Sequence, residues 1–185
     1  MTNGARPEFS FVVHPSAIAE GGEKAVYELE ASGSECGALA RRFGFLALEF
    51  FRATVSLRPV RGGEGFRLHG HIAARVVRSC VVTLDPVVSE VDEHFDSMLL
   101  EEAAYSGEAV GPEDDIDLYS GDAVDIGEIA AEELALSLDP YPRTPEAAAG
   151  IVGPGGAGRE SEGTGGAKTG RYRPFEALAG LKRSK

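Results

Sequence analysis

The side chains with the most chemical capacity lie between Arg52 and His94. His69 and His71 are two apart, so on a strand of period two they share a face. With His94 as a third donor they could ligate a transition metal, because neutral imidazole is a common metal ligand. Arg67 and Arg75 fall on the same parity as the two histidines, however, and a cationic neighbourhood repels a metal cation. Phosphate contact suits it better. Arg52, Arg58, Arg67, His69, Arg75 and Arg78 are therefore the candidates for a basic face that contacts phosphate. Sequence readout would further need exposed aromatic rings on which bases stack, and no ring can be placed there from periodicity alone.

No catalytic constellation accompanies them. The chain contains no G-x-S-x-G, no P-loop, no H-E-x-x-H and no dinucleotide fingerprint. Carboxylates between Asp85 and Asp139 are so frequent that pairs arise by chance, which makes pairing weak evidence for acid–base chemistry. Gly153–Gly156 precedes no helix-like pattern and so does not read as a phosphate cradle. Two cysteines, Cys36 and Cys80, are too few for a disulfide framework or a four-cysteine zinc site. Both read as packing residues. No catalytic residue, metal or cofactor is expected.

Charge is arranged in blocks along the chain. Residues 1–40 carry a net −4 and residues 41–78 a net +6, the latter from eight arginines against Glu49 and Glu64. Residues 79–142 carry −18 with no Lys or Arg, and residues 143–185 carry +4. Any one block can be a solvated face. Taken together they suggest basic groups that meet phosphate and an acidic surface that meets a basic protein. The expectation is that arginines gather on one surface and carboxylates on another. The overall −12 argues against tight, non-specific nucleic-acid binding.

These groups must be held by a sheet. Phe66, Leu68, Gly70, Ile72 and Ala74 alternate with Arg67, His69, His71, Ala73 and Arg75, the pattern of a half-buried strand. Asp85-Pro86 marks a turn. Val87, Ser89, Val91, Glu93 and Phe95 then alternate with Val88, Glu90, Asp92, His94 and Asp96. Leu46–Arg61 has apolar groups on both parities and reads as a central strand covered on both sides. The glycines of Arg61–Gly65 suit a hairpin loop. The result is a three-stranded meander of Leu46–Arg61, Phe66–Val77 and Val81–Leu100. Phe9–His14, Lys24–Ala31 and Ile116–Tyr119 are further strands.

A helix opens at Ser34 as N-cap, with Glu35 in its first turn, and stops at Gly44. A second opens at Asp125, with Glu128 three residues on, and ends at Pro140 and Pro142. With 43% apolar residues and a length of 185, the chain can bury one real core. The fold class is α+β: an antiparallel sheet, open or curved toward a barrel, with two or more helices. It occupies residues 1–144 as one domain. Residues 145–170, rich in Gly and Ala, read as a flexible linker. Residues 171–185 form a short amphipathic segment in which Phe175, Leu178 and Leu181 recur at helical spacing behind Pro174. Those three residues, with Glu128, Glu132 and Glu133, are the candidates for partner binding. No apolar run approaches a membrane span, and no basic-then-apolar N-terminal segment appears, so a reduced cytoplasmic setting is expected.

Three segments in order carry a resemblance. The first is Arg78-Ser79-Cys80-Val81-Val82-Thr83-Leu84. The second runs from Val124 to Leu138, VDIGEIAAEELALSL, with prolines at once behind it. The third is Arg173–Lys182, RPFEALAGLK. Together, with an acidic middle and a flexible stretch before the last, they resemble the YceD family of large ribosomal RNA subunit accumulation proteins over roughly Leu46 to the C-terminus. The resemblance implies a non-enzymatic role in the synthesis, processing or stability of large-subunit rRNA, with that RNA or a basic ribosomal protein as partner. Many members carry C-x-x-C at the strand turn. Here Val77 takes the first position and only Cys80 remains, so the resemblance does not bring a metal site with it. A protein-only adaptor, whose acidic helix binds a basic partner without touching RNA, is the alternative.

Overall fold

The computed structural model describes residues 7–21, 23–60, 65–103, 105 and 116–150. In chain order the elements are β1 (Val12–Val13), α1 (Pro15–Gly21), β2 (Ala25–Glu30), α2 (Gly33–Phe43), β3 (Ala47–Pro59), β4 (Gly65–Ser79), β5 (Pro86–Glu101), β6 (Ile116–Tyr119), β7 (Val124–Asp125), α3 (Ile126–Ser137) and α4 (Pro145–Ala148). The fold is α+β as expected. β2 to β6 form one sheet in sequence order, antiparallel except for a parallel β5–β6 pair. β2 and β6 are opposite edges, so the sheet is open and not a barrel.

The meander is the long middle of this sheet. β4 alternates buried and part-exposed residues along nearly its whole length, with Phe66, Leu68, Ile72, Ala74 and Val76 inward. α1, α2 and α3 cover that inner face with Ile18, Cys36, Leu39, Ile126, Ala130 and Leu134, which share one core with the strands. Gly70 sits inward opposite Phe95 of β5, and a Cβ there would stand 2.0 Å from the Phe95 ring. The ring fills the space that glycine leaves, so the pair packs as a unit.

β3 corrects the sequence reading. It is interior in strand order, but among the described residues helices cover only one face: Phe50 is 39% exposed while Phe51 is 0% exposed, though Ser56 on the outer parity is also buried. A register shift between Leu48 and Phe50 inserts one extra residue, so Leu48 and Phe51 both face the core although their spacing is odd. The apparent two-faced apolar pattern is one face read through a bulge.

The cap of α2 is Ser32, not Ser34. Ser32 is extended at φ −65°, ψ 161°. Its hydroxyl accepts from the Glu35 N–H at 3.4 Å, and the Glu35 carboxylate accepts from the Ser32 N–H at 2.8 Å. Only Ser32 lies three residues before a glutamate, which is what a reciprocal capping box requires. Gly44 closes the helix at φ +71°, a left-handed conformation that a side chain would disfavour. Asp125 caps α3 as expected, accepting from the Gly127 and Glu128 N–H groups at 3.1 Å.

The first strand is shorter than expected. Only Val12–Val13 pairs, and it pairs with β7, outside the main sheet. Ile126 N–H donates to the Phe11 carbonyl at 3.0 Å, and Asp125 accepts from Ser10 and from the Phe11 N–H. The start of the chain is thus tied to the start of α3. At the other end α4 lies in the stretch read as linker: Thr144 caps it and Ala147 is buried. Residues 151–170 of that stretch, and Phe175, Leu178 and Leu181, lie outside the described residues. No helix among the described residues is long and apolar enough to cross a membrane.

Candidate nucleic-acid interface

The outer face of the sheet, away from the helices, is built by β2–β5. The register sets its rows: Glu30–Arg52–Ala73–Asp92, Glu28–Thr54–His71–His94, and Arg58–Arg67–Met98. Arg52, Arg58, Arg67, His69 and Arg75 all stand on this face, as their parity demanded. Arg78 does not. It falls on the opposite parity and ties the end of β4 to the segment after α3, donating to the Asp139 carbonyl and to Ser89 Oγ at 3.2 Å. Burial lowers the pKa of its guanidinium, opposed by Asp139, and its Nε is buried without a partner. That is the environment of a cross-link, not of a phosphate contact.

The expected separation of charge is overturned. Arg52 is gripped by Glu30 at 2.8 Å, Arg75 lies 3.3 Å from Glu49 and 4.0 Å from Glu90, and His71 meets Asp92 at 2.8 Å. His69 pairs with Asp96. The reason is the hairpin itself. It folds the basic segment back onto the acidic one, and antiparallel register sets Arg75 opposite Glu90 and His69 opposite Asp96. Blocks that are separate along the chain become interleaved in space, and such compensation weakens the field a phosphate would feel. At the far end of the face Arg58 and Arg67 stand directly opposite each other, two like charges side by side.

The outer face also holds the aromatic ring that periodicity could not place. Phe50 is exposed there, with the Arg52 guanidinium 5.8 Å from its ring centre and Arg75 as its cross-strand neighbour. Phe50 keeps the parity of Arg52, and the register shift separates it from the inward Leu48. His71 and His94 stack at 4.5 Å with rings tilted 34°. Among the described residues, no group of three or more His, Cys, Asp or Glu side chains is placed to hold a metal ion. The carboxylate of Asp92 is held below its usual pKa, first by the hydrogen bond with His71.

The acidic helix is engaged within the domain. Glu128 accepts a two-pronged contact from Arg42 at 2.6 and 2.8 Å, Glu8 joins at 3.1 Å, and Glu132 lies 3.9 Å from the same guanidinium. Arg42 anchors α2 to α3 and to the N-terminal segment. Sequence reading missed it because nothing local marks an arginine whose partner lies 86 residues away. Glu132 is exposed, and Glu133 is part-exposed beside His94 and Phe95.

Cys80 closes the turn between β4 and β5. Its backbone holds the loop, with Cys80 N–H on the Asp85 carbonyl at 2.8 Å and Leu84 N–H on the Cys80 carbonyl at 3.0 Å. Its sulfur accepts from the Val82 and Thr83 N–H groups, both at 3.4 Å. The residue is 0% exposed, so the packing expectation holds. Yet the Thr83 side chain, and then the Thr83, Thr144 and Val82 N–H groups, pull the thiol down to about 6 against the opposing effect of burial. An unfolded thiol titrates near about 8.5. A depressed pKa stabilises the native state at pH above the unfolded value, and the contribution is lost as pH falls through about 6. The difference in urea midpoint between the native chain and Cys80→Ala, under reducing conditions, is therefore expected to widen from pH 6 to pH 8.5. A difference constant with pH would mean the thiol stays neutral.

Helices on one face, a long meander with an open outer face, and a Cys80-centred turn leading to the capped helix α3 make up the described fold. The chain shows no match to a curated protein and none to a solved structure. The family model described as large ribosomal RNA subunit accumulation protein YceD matches residues 68–182, from near the start of β4 through α3 and on to the closing basic segment, and on that match the chain belongs to the YceD family.

Proposed function

We propose that this protein is a non-enzymatic factor in the synthesis, processing or stability of large-subunit ribosomal RNA, working in the cytoplasm. The observation that carries this reading is the family match over residues 68–182. Its chemistry would be binding: Arg58 and Arg67 on phosphate at one end of the outer face, with Phe50 beside Arg52 and Arg75 available to stack on an unpaired base. A second reading is favoured by the pairing of Arg52, Arg75 and His71 with carboxylates. In that reading the acidic surface engages a basic ribosomal protein and RNA is never touched.

Purification of the tagged full chain from cells tests both. Recovery of large-subunit rRNA precursors supports the first reading. Recovery of a basic ribosomal protein that survives ribonuclease supports the second, and recovery of neither defeats both. Direct contact has its own measure. Binding to large-subunit rRNA fragments should weaken with salt, and Arg58→Glu with Arg67→Glu should reduce the slope of log affinity against log salt by about 1–2.

A further inference from the structure

β5 is much longer than the strand that covers it. β6 has four residues and pairs only with Met98–Glu101. From Pro86 to Ser97 the backbone of β5 has β4 on one side and, among the described residues, no strand on the other. An edge of that length presents a row of N–H and C=O groups ready to pair with another chain. Its register with β4 runs without a bulge from Pro86 to Leu100, and Pro86 is its only proline, at the first position. What marks the edge is carboxylate. Glu90, Asp92 and Asp96 point to the outer face, where Arg75, His71 and His69 already meet them from β4, and Arg75 is shared with Glu49. Glu93 has the parity of Val91 and Phe95, toward the helix layer, and is still exposed.

Beside this edge the surface continues onto α3. Glu93 and Phe95 of β5 and Glu133 and Leu136 of α3 line one shallow groove, and Leu136 is 77% exposed. A second groove follows along β5 between Ser89 and Ser137. Among the described residues the stretch therefore offers a backbone edge with no paired strand, negative side chains and an apolar shelf.

Charge decides the occupant. A second copy pairing β5 against β5 would set carboxylates opposite carboxylates, which is destabilising. RNA would bring phosphate to the same carboxylates. An extended polypeptide that alternates Lys or Arg with apolar residues satisfies all three features. Its backbone extends the ladder, its cations face Glu90, Asp92 and Asp96, and its apolar side chains lie toward Phe95 and Leu136. We propose that the Pro86–Ser97 edge of β5 captures an extended basic segment of a partner protein as an added strand. This rests on the reading that a basic protein is engaged, and it names where.

The test uses the full chain and a labelled eight-residue peptide in which Lys alternates with Val and Thr. Two controls are the same peptide N-methylated at alternate backbone amides and one with Glu in place of Lys. Fluorescence anisotropy reads affinity, and hydrogen exchange reads protection of the amides in 87–97. The Lys peptide should bind and slow exchange there, the N-methylated peptide should lose at least tenfold, and the Glu peptide should not bind. Glu90→Lys with Glu93→Lys should weaken the Lys peptide about tenfold. Equal binding by the N-methylated peptide overturns the proposal, and so does protection of 87–97 by an rRNA fragment in place of the peptide. Should the double variant fail to fold, the peptide comparison alone decides. Co-purification with rRNA precursors is a separate measurement, so loss of the edge site and loss of the ribosomal role give different results.

Discussion

Phe51→Ala is expected to lower the unfolding free energy by about 3–5 kcal/mol, read as a fall in the urea midpoint with little change in slope. Phe51 is 0% exposed and lies on the helix-covered face of the sheet. Its ring meets Phe9 edge-on at 5.2 Å, and its cross-strand neighbours are small: Ala74 on β4, with Ala31 donating its N–H to the Phe51 carbonyl at 2.9 Å. Small neighbours cannot collapse into the space a lost ring leaves, so the cavity persists and the cost stays at the high end. A domain of this size has about 5–15 kcal/mol in all, so the variant stands near the limit of folding. The adjacent Phe50→Ala should cost less than about 1 kcal/mol, because that ring already faces solvent. If Phe50→Ala cost more than Phe51→Ala, the register shift that turns Phe51 rather than Phe50 inward would be wrong.

Gly127→Ala should destabilise by about 1–3 kcal/mol, against the sign that helix propensity alone would give. Gly127 lies in the first turn of α3, and a Cβ there would stand 2.7 Å from the backbone nitrogen of Phe11 and 3.1 Å from the Phe9 carbonyl oxygen. Backbone cannot swing aside as a side chain can. It is fixed by the Ile126 N–H on the Phe11 carbonyl at 3.0 Å and by the Phe11 N–H on Asp125 at 2.8 Å. The substitution must break that stitching or distort the cap. Gly37→Ala is the matched control: its Cβ would meet only the far end of Arg41 at 3.8 Å, so it should gain about 0.5–1 kcal/mol. Thermal unfolding of the pair checks both signs. Two gains would mean the 9–11 segment does not lie against α3.

Where the sequence obeys one period, structure can be read from it directly. Phe66 to Val76 alternates without a fault, and the buried face of β4 follows residue by residue. Asp125 before an apolar periodic run marks the cap of α3 for the same reason: the signal is local. β3 is illegible at one place, because a bulge between Leu48 and Phe50 changes phase by one residue and apolar residues then fall on both parities. The site is harder still. Parity along β4 puts Arg67, His69 and Arg75 on one face and could have removed Arg78. What faces them depends on the offset between strands. Shifting β5 by two residues would set Asp92 or Asp96 opposite His71 in place of His94, and no residue in either strand announces that offset in isolation. The Arg42 clamp on Glu128 is of the same kind, a long-range pairing with no local cue.

The pairing of Val12–Val13 with Val124–Asp125 has a consequence for how the molecule is made. Ser10 waits for Asp125, 115 residues later in the chain. During synthesis the central hairpins can assemble from near neighbours, and Phe9 can meet Phe51, but Val12–Val13 has no strand partner until residues 124–125 have been made. For that interval Phe9 and Val13 lack their lid, and the nascent domain presents an uncovered seam on which a chaperone could settle. Final closure should then be the last and slowest event of maturation, and weakening Asp125 should delay it more than it disturbs the sheet already in place.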